Sequence, residues 1–131
     1  MEFTSEWRSI ETKPEKVYLF LSDLQNLGKL MPEQVINWQA DADTCSFTIK
    51  GMTDLKLKIN ERIPFSLISL KPEGKSPFSF TLDSVIRENN LQTEVKIMLN
   101  ADLNPMLAMM AKRPLQNLVN IMVEKLQLLA I

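Results

Sequence analysis

The chain has no histidine and one cysteine, Cys45. Ser-His-Asp catalysis, Cys-His catalysis, a histidine proton shuttle and any thiolate or imidazole metal site assembled within the chain are therefore excluded. A lone cysteine forms no internal disulfide, which fits a reducing, cytoplasmic setting. Three glycines in 131 residues leave little material for a phosphate-cradling loop, and both Gly-rich nucleotide motifs are missing. No sign of charge prevails: 15 basic residues face 16 acidic ones, interspersed and without a basic cluster. A nucleic-acid platform needs a positive stripe, so nucleic acid is not an expected partner. The longest apolar runs, such as Met106–Ala111 and Leu118–Val123, fall well short of the ~20 residues of a membrane span. The first six residues hold two acids and no basic stretch, so a secretory signal is not expected. Acids at EF-hand spacing are absent, and the sequence calls for no metal or cofactor.

What is present has the size and composition of one domain spanning residues 1–131, with 45% hydrophobic residues. Residues 2–11 alternate as a half-buried strand, with Phe3, Ser5, Trp7 and Ser9 on one face. Thr12-Lys13-Pro14-Glu15 fits a capping box, followed by Val17, Phe20, Leu21 and Leu24 at helical spacing. Asp23 is placed to cap a second short helix carrying Leu24, Leu27 and Leu30, with Gly28 inside it.

From Val35 to Asp102 the period changes to that of strands. Apolar faces run through Cys45, Phe47 and Ile49; through Leu55, Leu57, Ile59 and Ile63; through Phe78, Phe80, Leu82 and Ile86; and through Leu91, Val95, Ile97 and Leu99. Turns are expected at Asp41–Asp43, Pro72–Lys75 and Glu88–Asn90, and Pro64 sets a bend before a short strand near Ser66–Leu70. Hairpin-length connections make six strands an antiparallel meander with one apolar face. Asn104-Pro105 then opens a long helix with Met106, Ala108, Ala111, Leu115, Leu118, Met122, Leu126 and Leu129. At ~1.5 Å per residue it reaches roughly 35 Å, enough to cover the sheet.

This order of elements, the entry helix Thr12–Asp23, the Leu30-Met31-Pro32 exit into a strand bearing Trp38, and the Asp102–Ile131 helix resemble the START-type helix-grip superfamily. That superfamily includes birch-pollen-allergen-like proteins and polyketide cyclase and dehydrase relatives. The resemblance covers essentially the whole chain. It implies an α+β helix-grip fold, in which a curved antiparallel sheet of about seven strands (β-α-α-β6-α) wraps the C-terminal helix over a cavity. It also implies a small apolar guest, lipid-, quinone- or polyketide-like. No catalytic set of the family is matched residue by residue.

The candidate contacts for such a guest are Trp7, Phe47, Leu57, Glu61, Phe80 and Ile97 on the inward faces, with Met106, Met109 and Met110 at the start of the helix. Thioether side chains repack around guests of different shape, and they also fill gaps in cores. Glu61 continues the inward alternation Leu55, Leu57, Ile59, and a carboxyl buried there would serve as an acid or grip a hydroxyl. The competing placement has Pro64 end the strand and leave Glu61 solvated at the rim. Pro114 predicts a bend near Met110, either a static wrap around the sheet or a hinge for Pro105–Arg113. Three functions fit these features: a carrier or binder of a small apolar molecule, a cyclase- or dehydrase-like enzyme using Glu61, and an interaction or homodimerisation module using the methionines.

Overall fold

The computed structural model describes residues 1–129 and 131. The N-terminal segment forms two short strands, β1 (Glu2–Thr4) and β2 (Arg8–Ile10). Helix α1 (Pro14–Ser22) and helix α2 (Leu24–Leu27) follow, the latter running into a 3₁₀ turn over Gly28–Leu30. Six strands come next: β3 (Val35–Ala40), β4 (Thr44–Ile49), β5 (Thr53–Ile63), β6 (Leu67–Pro72), β7 (Phe80–Asn89) and β8 (Gln92–Ala101). Helix α3 (Pro105–Leu128) closes the chain. The sheet is antiparallel, in the order β1-β8-β7-β6-β5-β4-β3, with β2 also on β8. This is the expected meander, with the N-terminal strand added beside the last one.

Both helix starts follow from local chemistry, though not in the same way. Asp23 caps α2 as expected, its carboxylate accepting from the Gln25 amide at 3.0 Å. Thr12 does not cap α1; the N-cap is Lys13, with no side-chain cap bond. Proline disfavours helical geometry in the residue before it. Lys13 is accordingly extended (ψ 151°), which puts Pro14 at the first helical position. Thr12 is left outside, its carbonyl taking the Thr93 hydroxyl at 2.6 Å.

The core lies between the inner face of the sheet and the helices. Val17 and Leu21 of α1, Leu24 and Leu27 of α2, and Leu30 bury fully beside Ala111, Leu115, Leu118, Val119, Met122, Val123 and Leu126 of α3. α3 packs over β8, β1, β2 and the 3₁₀ turn, α1 over β6 and β7, and α2 over β3 and β4. α3 is one continuous helix through Pro114 and ends at Leu128, three residues before the expected Ile131. Ala130, within that expected range, lies outside the described residues.

Two register slips reverse the faces read from alternation. Thr4 pairs with Met98, but Arg8 pairs with Val95, so one extra residue is absorbed over Ser5–Trp7. Ser5 stays buried, whereas Trp7 and Ser9 turn to the outer face and Arg8 points inward, 3.8 Å from Glu124 of α3. A second slip falls between Ile59 and Glu61. Ile59 pairs with Leu70, yet Arg62, not Glu61, pairs with the buried Ile68. The Arg62 guanidinium then reaches the Ser22 carbonyl at 2.8 Å and the Asp43 carboxylate at 2.9 Å, tying the end of α1 to the β3–β4 turn.

Candidate functional site

Four of the six expected lining residues on the strands, Phe47, Leu57, Phe80 and Ile97, are where the alternation put them, and they are packed. Phe47 is stacked on Trp38 with ring centres 5.3 Å apart, and Phe80 lies against Phe78 at 5.2 Å. Leu57 and Ile97 are fully buried. All four belong to one continuous cluster that also holds the buried face of α3. The side chains beneath the helix pack into this one cluster, and surface depressions touch it from its margins, at Val123 beside β1 and β2 and at Phe78 and Phe80 beside the β6–β7 connection.

Two expected contacts lie elsewhere. Trp7 faces outward under a cationic roof, with the Arg87 guanidinium 3.8 Å and the Lys96 ammonium 5.6 Å from its ring centre. Arg87 in turn pairs with Glu94 across the strands at 2.9 Å. Glu61 is exposed on the outer face, because the slip at Asn60 reversed the alternation before that position. The acid proposed for a cyclase-like reaction is therefore not in the interior. Leu91, expected on the last apolar face, stands 96% exposed in the tight β7–β8 turn.

The three methionines are the exception to the closed packing. Met106 is 74% exposed, Met109 85% and Met110 57%, and no residue of α3 before Ala111 is buried. Asn104 holds this segment by accepting from the Leu107 amide at 2.9 Å, and Leu107 rests partly buried on the core. β1 begins where β8 stops, with the Met1 carbonyl accepting from the Ala101 amide, and α3 starts a short connection after that end of the sheet.

Just beyond them, a surface depression of about 480 Å³ is lined by Gln34, Lys50, Arg113, Pro114 and Asn117. Met106, Met110, Arg113 and Asn117 follow one another at i, i+4, i+7 and i+11, so one stripe of α3 runs from thioethers into this depression. Gln34 fixes the opposite wall. Its side chain donates to the Pro114 carbonyl at 3.3 Å and accepts from Asn117 at 3.0 Å, while its backbone carbonyl accepts from the Lys50 amide at 2.8 Å. Arg113 and Asn117 read in the sequence only as part of the polar side of the helix, although helical spacing could have aligned them with the methionines; nothing local marks Gln34 or Lys50, which the fold brings from far along the chain. A second depression, about 590 Å³, lies between the β2–α1 connection and the β7–β8 turn and includes Thr12, Lys16, Leu91 and Thr93.

Among the described residues no group of three or more Cys, Asp or Glu could hold a metal ion. Cys45 is buried, and burial pushes its thiol up to about 12. Asp41 has its carboxyl held below the usual range by the backbone amides of Asp43 and Thr44, which donate to it at 2.9 and 2.7 Å; that is turn architecture. Among the described residues no helix is long and apolar enough to cross a membrane.

No protein-family model and no curated protein matches the chain by sequence. Solved structures do match by shape. The KanY protein superposes with a TM-score of 0.78 at 12% identity, covering 97% of this chain and 94% of that one. A di-domain ARO/CYC protein, BexL, gives 0.69 at 12% identity over 97% of this chain and 45% of its own. The Aha1 dimer from Colwellia psychrerythraea gives 0.63 at 16% identity, covering 97% and 93%. At such identities the likeness concerns the fold, and the chain has the helix-grip architecture: a curved antiparallel sheet folded around a long C-terminal helix.

Proposed function

We propose that this chain is a single, non-enzymatic binding domain related to the START-type helix-grip proteins, and that it takes a small apolar molecule at the open end of the grip. The observation that carries this reading is the exposure of Met106, Met109 and Met110 on helical turns that bury no residue fully, in a protein whose other long apolar side chains are mostly enclosed. Flexible, polarisable thioethers adapt to guests of differing shape. Contiguous exposed apolar surface is usually contact surface. The interior is closed in this state, so a guest either lies along the methionine stripe or enters by lifting Pro105–Arg113 at Pro114, where the helix lacks a backbone donor. The cyclase-like alternative has lost its acid, since Glu61 is on the outer face.

The closed interior favours a second reading, in which another copy of this chain covers the methionines. Native mass spectrometry of protein purified from its own host separates the two. The binder is a monomer carrying an apolar mass that is released on denaturation; the self-associating module is a dimer without one. A bare monomer that takes up no polyaromatic probe removes both readings.

A further inference from the structure

We propose that the guest is an amphiphile with a carboxylate head, seated on Lys50 and Arg113 while its tail lies along Met106 and Met110. The inference rests on the binding reading above and adds the chemical class of the ligand. The depression at Pro114 is lined by two cations, Lys50 and Arg113, two amide side chains, Gln34 and Asn117, and the proline. No acid lines it, and neither cation has a carboxylate within ion-pairing distance among the described residues. Of the four arginines, Arg8, Arg62 and Arg87 each have an acidic partner, and Arg113 faces Lys50 across one depression instead.

The walls are held in place. Gln34 links Pro114 and Asn117 of α3 to the Lys50 backbone, so the helix and the end of β4 are joined across the depression. The remaining amide hydrogens on Gln34 and Asn117 are donors, suited to an anionic oxygen. The methionine stripe begins one helical turn away, at Met110. Cationic and donor groups at one end and thioethers at the other match a molecule with a negative head and an apolar tail. A neutral hydrocarbon leaves the cations unused, and a cationic amphiphile is repelled by them.

The test is calorimetric titration of the full chain with dodecanoate, dodecanol and dodecylammonium, each below its micelle-forming concentration. Dodecanoate is expected to bind about tenfold tighter than dodecanol, as a charge-assisted contact requires, and dodecylammonium more weakly than either. The double variant Lys50→Gln, Arg113→Gln is expected to lose that preference and keep its affinity for dodecanol. Both side chains are exposed, so its unfolding midpoint serves as the control that the fold is intact. Equal affinity for dodecanoate and dodecanol, or a preference that survives in the double variant, overturns the carboxylate assignment and leaves the binding reading standing. Failure of all three to bind overturns the binding reading and this inference with it.

Discussion

Gly28 shows how a single missing side chain can be a packing requirement. A Cβ placed there would lie 2.6 Å from Nε1 and 2.7 Å from Cδ1 of Trp38, whose indole fills the space above the 3₁₀ turn and stacks on Phe47. Gly28→Ala is therefore expected to cost about 1–3 kcal/mol in urea denaturation, as overpacking does. A neutral result would mean the indole has room to move. Leu91 presents the opposite case. It sits in the β7–β8 turn with φ +66°, after Asn90 at +50°, and it is almost wholly exposed. Asn-Gly is the favoured pair for two consecutive left-handed positions, so Leu91→Gly is expected to raise stability by up to about 1 kcal/mol. Cys45 adds a pH effect. Its thiol titrates near 12 in the folded chain. The folded state therefore holds its proton where the unfolded state has lost it, and this contribution is present below about pH 9 and declines from there to about 12. Comparing the pH dependence of stability with that of Cys45→Ala isolates it; identical slopes above pH 9 would show that the thiol is not protected.

At the scale of elements, the helices were the most legible part of the chain and the face of each strand the least. Val17 and Leu21, Leu24 and Leu27, and Leu115, Leu118, Met122 and Leu126 recur at helical spacing and all bury, because a continuous helix cannot lose its phase. A strand loses phase with one extra residue. The slips at Ser5–Trp7 and at Asn60 reversed Trp7 and Glu61, and no Gly or Pro in either place announces them. The site divided in the same way: the methionines could be read along α3, Arg113 read only as part of its polar face, and Gln34 and Lys50 reach the site only through the pairing of β3 with β4 and the docking of α3. Within α3, burial begins at Ala111 and the two halves meet at Pro114. Amides of residues 107–112 are accordingly expected to exchange with solvent far faster than those of residues 118–126, by local opening of the first half. Uniform protection along the helix would exclude Pro105–Arg113 as a moving element.

For the molecule as a whole, the same residue type serves two purposes, and the fold separates them by position. Met122 is fully buried under the sheet, whereas Met106, Met109 and Met110 are the exposed end of the same helix. Met122→Ala is expected to destabilise the fold by about 2–5 kcal/mol, since it leaves a cavity in a packed core. The triple variant Met106→Gln, Met109→Gln, Met110→Gln removes no enclosed surface and is expected to stay within about 0.5 kcal/mol of the parent. It is also expected to lose uptake of an apolar probe or, on the second reading, self-association. The two measurements must be made on the same protein, because loss of binding in a variant that has also lost stability would say nothing about contact surface. A triple variant as unstable as Met122→Ala would place the three methionines in the core in solution. A stable one that binds or associates like the parent would leave their exposure without a function. Stability kept and binding lost is the combination that follows if the grip is closed by its core and opened for use at its methionine end.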